Sequence, residues 1–131
     1  MADFTVSSDV DTLMQSADNS ALRGNLEIDQ KSVTFGAITP DDDTVYLTSY
    51  APYAFTIDSV QNIATSSGTI DAAIQINGTD VTGLGSISVS NTEQDVTASG
   101  ANTVSIGDKV TLVLSSNASA ADLRGALVIT Q

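Results

Sequence analysis

The sequence predicts an all-β protein: an antiparallel β-sandwich with jelly-roll-like connections, preceded by a short N-terminal helical segment. Three observations carry this. First, the composition favours strands and turns: Ser and Thr supply 33 of 131 residues, and fourteen of the sixteen acids are Asp. Asp suits turns and caps, whereas Glu suits helix interiors, and Thr, Val and Ile fit a pleated surface. Second, from Lys31 onward apolar residues recur with a period of two. Third, turn signals separate these runs at short, regular intervals, as a sandwich or barrel requires.

The first thirty residues read differently. Asp9 or Asp11 can cap a helix whose apolar stripe is Val10, Leu13, Met14 and Ala17, the i, i+3, i+4, i+7 spacing of one helix face. Asp18 offers a second cap, and Gly24 can end the next turn in a left-handed conformation. Two short helices, or one kinked helix, are expected over about Val10 to Arg23. Helices this short are marginal alone in water, so the segment must dock on something. Either it covers an open face of its own domain, or it holds neighbouring subunits. The division is therefore residues 1–30, a docking or oligomerisation segment, and residues 31–131, the sandwich.

Within the sandwich, Ser32 to Ile38 alternates and Pro40-Asp41-Asp42-Asp43 makes a turn into Thr44-Val45-Tyr46-Leu47-Thr48. The strand from Ala54 turns Phe55 and Ile57 inward and then, after a shift, Val60 and Ile63. Ser66-Ser67-Gly68 reads as a turn into Thr69–Ile76, where every even-numbered position is apolar. Asn77-Gly78 is the strongest hairpin signal in the chain. Short strands follow around Val81, Ile87 and Val89, then Gln94 to Ala98 and Thr103 to Ile106. Gly107-Asp108 turns into Val110–Leu114, and Leu123 to Ile129 closes the fold. That makes eight or nine strands.

Composition also excludes function classes. With no Cys and no His, Ser–His–Asp and Cys–His catalysis are impossible, and the commonest metal ligands are missing. A nucleophilic Ser would have only Lys31 or Lys109 as a basic partner. Nothing places two carboxylates at the spacing of a glycosidase pair. The chain is expected not to be an enzyme and to hold no cofactor or metal. Asp41-Asp42-Asp43 lacks the regular spacing of a calcium loop and reads as a solvated turn. A net charge of −12 has the wrong sign for nucleic acid or an anionic membrane.

Two further patterns need a reading. Asn77-Gly78-Thr79 and Asn117-Ala118-Ser119 match the glycosylation pattern, but the N-terminus carries no secretion signal and both read as turns. Four of the six aromatic residues, Tyr46, Tyr50, Tyr53 and Phe55, fall within ten positions. They suit a core or a subunit contact, with a sugar-stacking platform as the other reading.

Two stretches carry a resemblance. Val10-Asp11-Thr12-Leu13-Met14-Gln15-Ser16-Ala17-Asp18-Asn19-Ser20-Ala21-Leu22-Arg23-Gly24-Asn25-Leu26 is similar to a segment recurring in bacteriophage fibre and other virion proteins. Thr56-Ile57-Asp58-Ser59-Val60, Ile74-Gln75-Ile76-Asn77-Gly78, Ile106-Gly107-Asp108-Lys109-Val110-Thr111-Leu112 and Ser115-Ser116-Asn117 resemble small β-sandwich domains of phage structural proteins. The resemblance implies a virion part made in the host cytoplasm and repeated on the particle, often as a homotrimer.

The short stub before the sandwich suits a capsid decoration (cement) protein bound to the major capsid protein on the capsid exterior. A tail-fibre or head-fibre adhesin for a host glycan is the alternative. Under either reading the expected interface is Val10, Leu13, Met14 and Ala17, with Arg23 as a charge partner, and secondarily Tyr46, Tyr50 and Tyr53.

Overall fold

A computed structural model describes residues 30–131, and these form ten strands in two antiparallel sheets. The strands are β1 (Gln30–Ala37), β2 (Thr44–Thr48), β3 (Phe55–Ala64), β4 (Ser67–Ile76), β5 (Thr79–Asp80), β6 (Ile87–Val89), β7 (Gln94–Thr97), β8 (Thr103–Val104), β9 (Val110–Ala121) and β10 (Leu123–Thr130). One sheet runs β1-β10-β3-β7, with β8 also on β3. The other runs β2-β9-β4-β5, with β6 also on β4.

The pairing is nested. β1 pairs with β10, β2 with β9, β3 with β7 and β8, and β4 with β5 and β6. One long antiparallel ribbon, folded at the β4–β5 turn and rolled up, gives this order. That is jelly-roll connectivity, counting β5 with β6 and β7 with β8 as two interrupted strands.

Period-two alternation supplies the core. Ile70, Ala72, Ile74 and Ile76 face Leu114, Leu112 and Val110 of β9 on the inner side of one sheet. Ile57, Val60, Ile63, Leu127 and Ile129 line the other, and all are buried. The shift expected in β3 is real. The β3–β10 register slips between Ile57 and Ser59, and a second slip follows on the β7 side between Val60 and Ile63, where Asn62 takes a left-handed φ of 52°. The extra residue restores Ile63 to the inner face.

The Asn77-Gly78 turn joins β4 to β5 with φ of 51° and 84°. Two central residues at positive φ match the twist of the flanking strands, which is why this dipeptide marks hairpins.

Four expectations need correction. The strands number ten because Gly83-Leu84-Gly85 separates β5 from β6 and Gly100-Ala101 separates β7 from β8. Ser67 and Gly68 belong to β4, not to a turn: Ser67 pairs with Ala121, and two register slips accommodate the glycine. β9 runs on to Ala121 through Ser116 and Ser119, both in left-handed conformation, so Asn117-Ala118-Ser119 is irregular strand. The last strand of the Thr103–Ile106 run stops at Val104, leaving Ile106 64% exposed. The helical expectation over Val10 to Arg23 lies outside the described residues.

Candidate functional site

The two sheets meet differently along their two long edges. On the β5–β8 side the chain stitches them together. Thr82 N–H donates to Gly100 O (2.9 Å) and Ser99 N–H to Thr82 O (2.7 Å), with Val81 and Leu84 fully enclosed beneath. On the β1–β2 side no such bridge is made along the strands among the described residues, and these leave the sandwich open.

β1 and β2 are the edge strands there, each paired on one side only. Their inward-facing apolar residues find too little to cover them. Val33 and Val45 are each 40% exposed, and Ile38, in the turn after β1, is 81% exposed. Behind them run two hollows. The smaller, about 110 Å³, is lined by Val33, Leu47, Tyr53, Phe55, Leu127 and Ile129, among others. The larger, about 300 Å³, lies toward the β1–β2 turn between Phe35, Ala37, Val45, Leu112, Leu114 and Leu123. They share Val33 and Leu47 and form one apolar crevice.

Local sequence explains the gap. Gly125 leaves room for the Phe35 ring, whose Cζ lies 2.7 Å from where a Cβ would sit. Phe35 thus folds down onto β10 rather than across to the opposite sheet. β2 has only five residues and a slip between Tyr46 and Thr48. The β1–β2 turn is well anchored: Asn117 N–H donates to Asp42 Oδ1 (2.9 Å), Asn117 Nδ2 to Pro40 O (2.9 Å), and Thr44 N–H to Asp43 Oδ1 (2.7 Å). Asp41 accepts from the Asp42 N–H at 3.0 Å. The acidic triplet spends its carboxylates on backbone, as a turn should.

The opposite end of the crevice is partly closed. Lys31 donates to the Gln131 side chain and lies 5.3 Å from the Tyr53 ring centroid, and Tyr53 stacks edge-on against Phe55 at 5.9 Å. The cation over a ring and the T-shaped pair are both favourable geometries.

The tyrosines expected to act together are dispersed. Tyr53 is half-buried at the mouth of the crevice. Tyr50, 63% exposed, sits in the β2–β3 loop with its ring near Gly107. Tyr46, 60% exposed, points to the outer face of its sheet, because alternation in β2 turns Val45 inward. There Tyr46 pairs with Thr111, and Thr111 with Gln75, whose Nε2 donates to Asp80 Oδ1 at 2.8 Å. Tyr46, Thr44, Gln75, Asn77, Lys109 and Thr111 border a shallow, mainly polar hollow of about 300 Å³. The three tyrosines share no platform; of the four aromatic residues clustered in the sequence, Tyr53 and Phe55 are the pair whose rings meet. Val10, Leu13, Met14, Ala17 and Arg23 lie outside the described residues.

The residues that sequence reasoning missed are Val33, Ile38, Val45 and Leu47. A signal existed: Val45-Tyr46-Leu47 is apolar on both faces of a five-residue strand, more than a one-sided edge strand needs.

Titratable groups offer little chemistry. Among the described residues no group of three or more His, Cys, Asp or Glu side chains is gathered as a metal site would need. Asp108 has its pKa lowered, first by the hydrogen bond from Asn77 Nδ2 (2.8 Å) and then by that from the Ser105 N–H (2.8 Å). Both donors favour the carboxylate; the first ties the β4–β5 turn to the chain entering β9, and the second closes the local turn before it. Among the described residues one ion pair, Arg124–Glu93 at 3.2 Å, lies exposed, where such pairs contribute ~1 kcal/mol or less. No protein-family model, curated protein or solved structure matches the chain.

Proposed function

We propose that this chain is a virion structural protein, a capsid decoration (cement) protein that binds the outside of an assembled phage head as a homotrimer and stabilises it. The observation that supports this reading best is the open β1–β2 flank. Contiguous apolar surface at a sheet edge marks an association site, and edge strands left unpaired are templates for further contacts. A surface built for contact rather than for chemistry fits a protein that works by adhering. The surface and not the fold supports this reading, since the jelly roll hosts many functions.

The physics of such a role is mass action. A protein that binds the assembled shell, and not its dissociated parts, shifts the equilibrium toward the shell. Linked copies on neighbouring capsomers convert weak single contacts into durable attachment. The net charge of −12 per chain keeps the outer surface soluble.

The test is to count copies in purified particles and to compare particles with and without the protein under heat. Hundreds of copies per particle, and a lower bursting temperature in their absence, are expected. A handful of copies, or unchanged bursting, overturns the cement reading.

A second reading, an adhesin for a host glycan, is favoured by the Tyr46–Thr111–Gln75 row. An exposed ring beside hydroxyl and amide groups is suited to stack on and hydrogen-bond a sugar. Retention of the purified protein on a glycan array, lost in Tyr46→Ala, is the result that supports it.

A further inference from the structure

The open flank needs a cover, and its dimensions point to one. The crevice follows β1, whose eight residues span about 26 Å at strand rise. The helical segment expected over Val10 to Arg23 would span about 21 Å at helix rise. Its apolar stripe, Val10, Leu13, Met14 and Ala17, is one helix face of four apolar residues, matched to an apolar crevice. The 29 residues that precede β1 join the sandwich at Gln30, the end of the strand bordering this crevice.

Whose segment fills it follows from where the crevice is open. The end nearest Gln30 is the smaller hollow, and Lys31, Tyr53 and Gln131 crowd its mouth. The larger hollow, with Val45 and Tyr46 at its rim and Ile38 beyond it, lies at the far end of β1. A chain's own segment would have to reverse over residues 24–29 and run back past the crowded end. A neighbour's segment enters from the open end without reversal, and six extended residues reach about 20 Å. Asp122, beside Ile38 at that end, is the acid available to a neighbour's Arg23.

We propose that in the oligomer the N-terminal segment of one copy seats in the β1–β2 crevice of the next, so that each copy completes its neighbour's core. This rests on the reading of the flank as an assembly surface, and it names what the flank holds. The contact is heterologous, with different patches on the two sides, and it closes into a ring where the rotation permits.

The chain has no Cys, so introduced thiols have no background. Full-length Met14→Cys mixed with full-length Val45→Cys, then oxidised, should give a cross-linked dimer that neither variant gives alone. The double variant should give a ladder ending at the ring size. Leu13→Cys with Ile38→Cys serves as a second pair, since both Val45 and Ile38 are exposed and tolerate substitution.

In sedimentation, Met14→Asp in the full chain should move the oligomer to single-chain mass with its β-type circular dichroism unchanged. An internal cross-link within one chain, or no cross-link from either pair in a protein that is oligomeric, overturns the exchange and leaves the assembly reading standing. A full-length chain that sediments as a monomer at every concentration overturns both.

Discussion

The two long edges of this sandwich are made of similar residues and end in opposite states. On the β5–β8 edge, Val81 and Leu84 are fully enclosed; on the β1–β2 edge, Val33 and Val45 are 40% exposed. The residue types do not differ enough to explain this. What differs is backbone: on one edge the β5–β6 and β7–β8 loops reach each other and hydrogen-bond from sheet to sheet, while on the other, among the described residues, β1 and β2 keep free outer edges and are joined only by the turn at their end. Closure of a sandwich edge is thus a matter of where loops bond from sheet to sheet along it, and an apolar side chain on an unbridged edge becomes surface available to a partner. The first edge is finished by the fold. Under the proposed function the second is finished by assembly.

The sharpest way to break this contrast is to truncate equivalent side chains on the two sides. Ile74 is fully buried beside Leu84 and Val81, and its N–H donates to Leu84 O at 2.9 Å. Ile74→Ala should cost about 2–5 kcal/mol, the range for deleting a large buried aliphatic residue. Val33→Ala on the open edge should cost under ~1 kcal/mol in the isolated chain, because partly exposed methyls lose little burial. Denaturant titration of dilute protein gives both values. Equal losses would show that the open edge is already covered within one chain.

Next in size is the backbone of the stitched edge. Gly83 has φ of +90°, and a Cβ there would lie 2.6 Å from Thr97 O. Gly83→Ala combines a disfavoured conformation with a collision against backbone, and should cost about 1–3 kcal/mol. It should also speed exchange of the Thr82 and Ser99 amide protons, which form the bridge between the sheets. Unchanged exchange at those amides would mean that the edge is held by side-chain packing alone.

The contrast between edges also explains what could be read from the sequence. Even-numbered Ile70–Ile76, the β2 strand at Thr44–Thr48 and the Asn77-Gly78 hairpin were legible because each depends on local rules: alternation and turn conformation. The jelly-roll order was legible as a class from strand number and spacing. The break at Gly100 was legible too, as separate runs at Gln94–Ala98 and Thr103–Ile106, but that β7 and β8 are one strand interrupted, and β5 and β6 another, was not. β9 beyond Leu114 was hidden by its small polar sequence, Ser115-Ser116-Asn117-Ala118-Ser119. The flank was hidden for a deeper reason. Periodicity tells which side chains point inward, but not whether anything stands opposite them, so Val33 and Val45 look like Ile57 until the topology is known.

The third perturbation is on the open edge itself. Val45→Ser should leave the stability of the dilute chain within about 0.5 kcal/mol, the usual range for surface substitutions. The same change should weaken self-association, read as a shift of the sedimentation boundary toward single-chain mass. A protein whose association is unaffected by Val45→Ser, and by Ile38→Ser, uses another surface.

The smallest effect expected is electrostatic and belongs to the end of the sandwich between the two edges. Asp108 accepts hydrogen bonds from Asn77 Nδ2 and the Ser105 N–H, and these hold its pKa below the ordinary aspartate value. Between the lowered folded pKa and the unfolded one, the unfolded chain binds more protons at this site. Its contribution to stability is therefore present in full above the ordinary aspartate range and is lost as pH falls toward and through the folded value. The group is solvent-exposed, so the loss is small. Because thirteen other Asp residues titrate in the same region, only a difference isolates it. The denaturation midpoint of Asp108→Asn should lie slightly below that of the parent at pH 7, and the gap should narrow on acidification to pH 3. A gap that is constant with pH would show that Asp108 holds the Asn77-Gly78 turn through shape alone, with its charge contributing nothing to the tie between β4 and β9.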